Sequence, residues 1–514
     1  MKKLKRETKF RKLDFDKIIL IVSFVYLIAV LSFSLGYRKV GNYDIETDFF
    51  WDYAIEAKNI LKGIVNVGEF RGPGYPAVVA ILSLVTGNLF KAGLITSAIS
   101  SALVILMSFK ILKKVFDEKI AFLTSLTLIL NPTFLRYSYV CGTDMFFNFL
   151  VSFAVLSAII GTLKNKSTLL FLSGLAGGYA YLTRYNGISL IIGLPLMILI
   201  LNSRNLKNGI LKSTLAVSGY FLFLVPWSIY SYIKRGEFFY NRNYLNIAYE
   251  MYAKGKIPWD NFWFEASKEY KSFIDVFLRD PGLFIEKTIL NLIDHFWRDL
   301  TQLCGWQFAI LFVIGLVLLV RRGFDNVKIA YLAQSLTFFL VLVFVFYSER
   351  FSMYLLPTYL SISYYTINLK AVEGKKFGWI IIFVIFNLIS LPKISQMLEK
   401  DIQNQPFDIL HIKEQFKSKF GDSEKGKIIV ARKPNIAYYL DMEFKPFPLV
   451  NNYEQLYNEL KNLNASYLYY SWIEYYLRRN FEALFNYNSP PPFLEPVAVS
   501  ENPPAVLYKV KKVD

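Results

Sequence analysis

The stretch YPAVVAILSLVTGNLF, residues 75–90, carries no charge and is interrupted only by Gly87 and Asn88. Whether it crosses a membrane decides the sidedness of every later segment. A transmembrane helix needs about 20 apolar residues. Other uncharged runs near that length occur at 18–36, 92–109, 120–135, 145–163, 167–183, 185–203, 213–233, 300–320, 329–348, 351–369 and 377–392. With 75–90 excluded these predict eleven spans; with it included, every loop from residue 91 onward changes face.

Loop charge discriminates between the two. With the N-terminus inside and 75–90 held as an interfacial or re-entrant helix, the inside segments are the basic N-terminus (Lys2 to Lys17), KKVFDEK, KNK, SRNLK, RRGFDNVK and KAVEGKK. The short outside loops hold one arginine each, Arg136, Arg184 and Arg350. One more span would put most of the basic loops outside, against the positive-inside rule. The run at 18–36 is too long for a secretory signal and no small-residue cleavage site follows it, so it is expected to stay as an anchor.

Composition agrees with a membrane solvent. The chain of 514 residues is 54% hydrophobic and 19% charged, against about 25% charged in soluble domains. The formal charge of +18 is spread in short basic runs between apolar segments, which argues against a nucleic-acid partner. Cys141 and Cys304 lack metal-ligand spacing and are expected to be free thiols.

After residue 393 the chain turns polar. KIIVAR, ASYLYYS and PAVLYKV read as strands, PNIAYYL and YEQLYNELKNL as helices. The expectation is an α-helical polytopic membrane protein ending in a small α/β domain. A cytoplasmic basic segment covers 1–17, the membrane domain 18–393 with outer loops 38–91 and 234–299, and the outer-face domain 394–514. The expected location is the plasma membrane, with membrane lipids around it.

With this topology the polar segments fall on one face. DIETDFFWD (44–52) gathers Asp44, Glu46, Asp48 and Asp52; EFRGPGYP (69–76) follows in the same loop. NPTFLRYSYVCGTD (131–144), YLTRYNG (181–187) and YSERFSMYLLP (347–357) add Asp144, Arg184, Glu349 and Arg350. Ionisable residues bordering spans are functional candidates by default. Carboxylates beside arginines suit glycosyl transfer from a lipid-phosphate sugar. A carboxylate takes the proton of an acceptor hydroxyl, and arginine holds the departing phosphate. A single displacement would invert the anomeric carbon.

The ordered set ETDFFWDYAIEAKNILKG, RGPGYP, NPTFLRYSYVCGTDMFF, GLAGGYAYLTRYNG with GLPL, and ERFSMYLLP resembles the GT-C superfamily of multi-spanning glycosyltransferases over about residues 15–395. That group includes protein O-mannosyltransferases (family 39-like) and aminoarabinose transferases of lipid A. The resemblance implies a catalytic base in the first outer loop and a donor-phosphate contact at the Pro-Gly motif, here Arg71. It also implies a polyprenyl- or dolichyl-phosphate sugar donor and a lipid, glycan or protein acceptor.

The candidate base is Asp48, with Glu46 and Asp44 as alternatives; all three share one face if the stretch is extended. Candidate substrate-binding residues are Arg71, Tyr75, Asp144, Arg184, Tyr185, Glu349 and Arg350. Each has a plainer explanation. Asp48 could serve the dipole of the helix predicted over FFWDYAIEAKNILK, and Asp144 could cap its span. Arg71, Arg184 and Arg350 could anchor at headgroups, Tyr185 could join an aromatic belt, and Glu349 could pair locally with Arg350. Asp52 and Glu56, four apart, read as a solvated helix face. His295 and His411 are isolated in sequence. No cofactor is expected; Mg²⁺ or Mn²⁺ at the acidic cluster is a minority alternative. A transporter or flippase for a lipid-linked or anionic substrate is the competing class.

Overall fold

The computed structural model describes residues 14–369 and 378–511. The expectations for the N-terminal basic run through Lys12 and for the KAVEGKK loop lie outside the described residues.

Residues 75–90 do not form one helix. The helix Gly74–Thr86 stops at Gly87, whose φ of 66° places it in the left-handed region. Asn88 then caps a new helix, Leu89–Val115, its side chain accepting from the Lys91 amide at 3.0 Å. Thirteen residues rise about 20 Å, short of a hydrocarbon core of about 30 Å. Both ends lie on the same side of the bundle: Gly74 packs on Leu182 and Thr183, and Phe90 stacks on Phe50 at 5.7 Å.

Five helical segments are long and apolar enough to cross a membrane: Phe15–Tyr37, Leu89–Val115, Asp144–Leu163, Leu206–Arg235 and the run Gly378–Phe420. Two bent pairs raise the number to seven, Glu118–Ile129 with Pro132–Ser138 at 63°, and Pro281–Leu303 with Trp306–Arg322 at 117°. The protein is a multi-pass membrane protein; among the described residues five to seven segments have a full span's length and composition, and shorter apolar helices, Tyr185–Leu201 and Asn326–Leu342, fall at two more of the eleven expected spans. The expected span 120–135 breaks where Asn131 caps a second helix opening on Pro132. The expected span 351–369 is a chain of short segments, Glu349–Ser352, Met353–Leu355, Leu356–Tyr364 and Tyr365–Asn368. Residues 352–366 are buried throughout, so this segment lines the bundle interior and needs no lipid-matched length.

Close helix contact comes from small residues, as is common in membranes. Gly174 of Ser167–Thr183 faces the backbone of Ala216 in Leu206–Arg235, where an added Cβ would meet the Ala216 carbonyl oxygen at 1.8 Å. At the end opposite the first loop, Lys113 bonds Asp16 (2.5 Å) and Glu118 (2.6 Å), and Lys212 bonds Asn165 (2.6 Å).

The C-terminal part contains a five-stranded sheet: β1 (Ile428–Ala431), β2 (Glu443–Pro446), β3 (Tyr467–Ser471), β4 (Leu494–Ser500) and β5 (Ala505–Val510). The order is β2-β1-β3-β5-β4, with β1 parallel to β2 and β3, and β5 antiparallel to β3 and β4. Strand alternation sends Ile429, Ala431, Tyr467 and Tyr469 to one face, packed on Ile409, Ile412 and Phe416 of the helix Phe407–Phe420. Val430, Leu468 and Tyr470 point the other way, onto Leu456 and Leu460 of Tyr453–Asn462. Val40 and Tyr43 of the first loop belong to the first of these cores. The sheet therefore sits directly on that loop.

Candidate functional site

The first loop is not extended. A turn covers 43–45 and Asp48 is already helical, with φ −61° and ψ −32°. Its three candidate carboxylates consequently diverge instead of sharing a face. Glu46 is fully buried, pairs with the equally buried Arg38, and accepts from the backbone amides of Asn42 (2.7 Å) and Cys141 (2.8 Å). These bonds fold the loop on itself and tie it to the 139–143 turn. Asp44 is 70% exposed and lies 3.8 Å from Arg136.

Asp48 points into a cluster of arginines. Arg71 Nη2 donates to its Oδ1 at 2.6 Å, and Arg350 Nη1 to its Oδ2 at 3.4 Å. Beside them Arg184 pairs with Asp144 and donates to Thr143 at 3.2 Å. Burial alone would raise the Asp48 carboxyl, but Arg71, Arg350 and Arg184 outweigh it and bring it down to about 2. The Arg71 guanidinium also covers the Tyr53 ring, 5.2 Å from its centroid.

The position of Arg71 depends on its glycines. Gly72 and Gly74 do not serve a positive-φ turn; they let the chain press on the end of the helix Ser167–Thr183. A Cβ at Gly72 would meet the Leu182 carbonyl oxygen at 2.3 Å, and one at Gly74 the Thr183 hydroxyl oxygen at 2.8 Å. Arg71 and Arg184 are brought together by that contact.

Several plainer expectations give way. Asp52 is not a solvated face: it is a quarter exposed and lies 3.7 Å from Arg71. Burial raises its carboxyl and Arg71 lowers it, with the net shift upward. Glu56 lines the same small recess and accepts from Asn59 and Asn66 at 3.3 and 3.1 Å. Glu349 and Arg350 do not pair locally, since Glu349 accepts from Thr133 while Arg350 turns to Asp48. Tyr75 is wholly buried, its hydroxyl 3.7 Å from Cys141 Sγ and its ring edge-on to Tyr53 at 5.1 Å. It backs Tyr53 and does not open into the cluster. Tyr185 packs on Tyr181 at 5.1 Å.

Sequence reasoning missed the contribution of the sheet. The β1 turn Arg432-Lys433-Pro434-Asn435 docks on the first loop, with Lys433 Nζ 3.2 Å from Thr47 Oγ1 and Asn435 donating to Gly41 O at 3.0 Å. Burial and then Arg432 push Lys433 down to about 8, against the pull of Asp48, Asp44 and Asp260. Arg432 and Arg478 together hold Asp260, at 3.1 and 3.2 Å. The turn after β1 thus touches both the first loop, beside Asp48, and Asp260 of the 244–280 helical block. No group of three or more metal-type side chains gathers among the described residues.

The backbone as a whole matches ArnT from Cupriavidus metallidurans with a TM-score of 0.63 in its apo state, at 14% identity, over 96% of this chain and 97% of that one. The same protein bound to undecaprenyl phosphate gives 0.59 at 13% identity over the same shares.

The chain has the GT-C fold.

A second GT-C neighbour is the Archaeoglobus fulgidus oligosaccharyltransferase AglB in complex with an inhibitory peptide and a dolichol-phosphate. It matches with a TM-score of 0.59 and 12% identity, over 90% of this chain and 70% of that one. Residues 71–230 match the family described as dolichyl-phosphate-mannose-protein mannosyltransferase. That segment starts at Arg71 and takes in Asp144 and Arg184. No curated protein sequence matches the chain. The family and the GT-C neighbours are transferases, and the transporter reading finds no support among them.

Proposed function

We propose that this GT-C protein transfers a sugar from a polyprenyl- or dolichyl-phosphate-linked donor to a lipid, glycan or protein acceptor, with Asp48 as general base. The observation that carries the proposal is the placement of Asp48 between Arg71 and Arg350. The undecaprenyl phosphate of ArnT and the dolichol-phosphate of AglB support the donor class.

In the reaction the acceptor hydroxyl loses its proton to the Asp48 carboxylate. The oxygen attacks the anomeric carbon, and the carbon–oxygen bond to phosphate breaks. Polyprenyl phosphate leaves with the electron pair, its charge met by Arg71, Arg350 and Arg184. With its carboxyl near 2, Asp48 is a weak base while both arginines hold it. A donor phosphate competes for those guanidinium groups. Donor binding therefore frees and strengthens the base, so the sugar must be seated before a proton can be taken. Asp144 keeps Arg184 oriented, and Glu46, with Arg38, fixes the loop that carries Asp48.

We further place the N-terminus in the cytoplasm and the sheet on the outer face, on the strength of the basic loops at the end opposite Asp48. The plasma membrane is the compartment this implies. The test is an assay in proteoliposomes with radiolabelled polyprenyl-phosphate sugar. Release of polyprenyl phosphate with the label in an acceptor supports transfer. Movement of the label across the bilayer without release overturns it.

A further inference from the structure

A second cleft, of about 660 Å³, opens where the first loop, Arg136, the 400–405 segment and the sheet domain meet. It is lined by Asn42, Asp44, Arg136, Lys400, Lys433 and Trp472, among others. Its volume falls within the range of small-molecule sites, about 300–1,000 Å³. Lys433 lines the cleft and hydrogen-bonds Thr47, the residue before Asp48, so one lining side chain links the cleft to the loop that carries the proposed base.

We propose that this cleft is a carbohydrate subsite, in which a sugar ring of a glycan acceptor lies against Trp472 with its hydroxyls on the surrounding amides and cations. Four observations support it. Trp472 is held edge-on by Tyr43 at 5.7 Å and keeps 36% of its surface open. Asn42 lines the cleft, is 4% exposed, and its buried Oδ1 has no hydrogen-bond partner, an unmet acceptor at the cleft wall that a small turn of the amide would offer to a hydroxyl donor. Exposed amides, Gln403, Asn404 and Asn502, stand around the opening. Finally, charges of both signs line it, Asp44 and Asp401 against Arg136, Lys400 and Lys433.

A pyranose matches this wall, because its axial C–H face stacks on an aromatic ring while its rim carries hydroxyls that donate and accept. A peptide would need an open strand edge or side-chain pockets, and the cleft offers one ring amid amides. A lipid headgroup would need a run of unpaired cations, whereas Arg136 is already taken by Asp401 at 2.6 Å.

Calling the bound sugar an acceptor rests on the transfer reading; its binding does not. The test therefore omits the donor. Saturation-transfer NMR is recorded on the full-length protein in nanodiscs with methyl α-mannoside, methyl β-glucoside, methyl β-galactoside and methyl N-acetyl-β-glucosaminide. A capped serine-containing pentapeptide and a short-chain phosphatidylglycerol represent the other classes. Ring protons of at least one glycoside should be saturated, with Kd weakened about tenfold in Trp472→Ala and regained in Trp472→Phe. Asn404→Leu, at an exposed position, should weaken it about fivefold and serves if Trp472→Ala does not fold. Absence of glycoside saturation, binding indifferent to these substitutions, or saturation of the peptide or the lipid alone overturns the proposal. A failed transfer assay alongside intact glycoside binding would count against the enzyme reading and leave this site standing.

Discussion

Arg71 and Arg350 come from loops 279 residues apart in the chain and take one oxygen each of the Asp48 carboxylate, at 2.6 and 3.4 Å. On the reading of Asp48 as the base, a carboxylate gripped at both oxygens is its resting state. Several measurable consequences depend on who replaces it.

Asp48→Asn keeps the shape and cannot take a proton. Turnover should fall by about 10²–10⁴-fold, the usual contribution of a positioned base, while donor binding persists or tightens because the arginines lose a competitor. Single-turnover transfer and donor binding on the same preparation separate the two effects. Near-normal turnover would remove Asp48 from the chemistry.

Arg71→Ala should reduce donor kcat/KM by about 10- to 150-fold, corresponding to roughly 1.5–3 kcal/mol for a charge-assisted hydrogen bond. Gly72→Ala should reproduce part of that loss although the arginine remains, because the Leu182 backbone must give way to the new methyl. Asp52→Asn, beside Arg71 at 3.7 Å, should alter donor KM more than kcat. Unchanged donor kinetics in folded Arg71→Ala would exclude it from phosphate binding.

Glu46→Ala leaves Arg38 buried without its counter-ion, a change that costs about 3–5 kcal/mol. Folded yield and Tm should drop sharply. Asp44→Asn, at an exposed carboxylate, should leave Tm unchanged and act on acceptor KM. A stable Glu46→Ala protein with normal donor binding but no turnover would return Glu46 to candidacy as the base.

Lys433 supplies a pH test. Its folded pKa of about 8 lies below the ordinary lysine value of about 10.4. Between those values the unfolded chain binds a proton that the folded chain does not, so stability rises with pH across this window. The cost of the buried ammonium is full below about pH 8. Lys433→Met should accordingly raise Tm most near neutral pH, with the gain shrinking toward pH 10. A gain independent of pH would show that Lys433 is not desolvated.

The fold was largely legible because its signals are local. Gly87 and Asn88 interrupted the run expected as one short helix, basic runs marked the loops of one end of the bundle, and the aromatic-rich run ASYLYYS marked a strand. Asp48, Arg71 and Arg350 could be named because each sits in a polar segment between apolar runs. Their pairing could not be, since it depends on loops brought together by helix packing. The separate tasks of Glu46 and Asp44 follow from a turn at 43–45 in a stretch that also reads as extended. Lys433 gave no warning, because its partner Thr47 lies 386 residues away and no spacing rule reaches that far.

That separation sets an order of assembly. A chain made from its N-terminus places Asp48, Arg71, Arg184 and Arg350 in the bundle well before β1 exists. Arg432 and Lys433, which engage Asp260 and Thr47, follow later in the chain. Until then Thr47, next to Asp48, lacks its contact with Lys433, and Asp260 lacks both of its arginines. Docking of the sheet on the first loop thus follows formation of the bundle, and the loop that carries Asp48 is held from the sheet side only once β1 and its turn have been made.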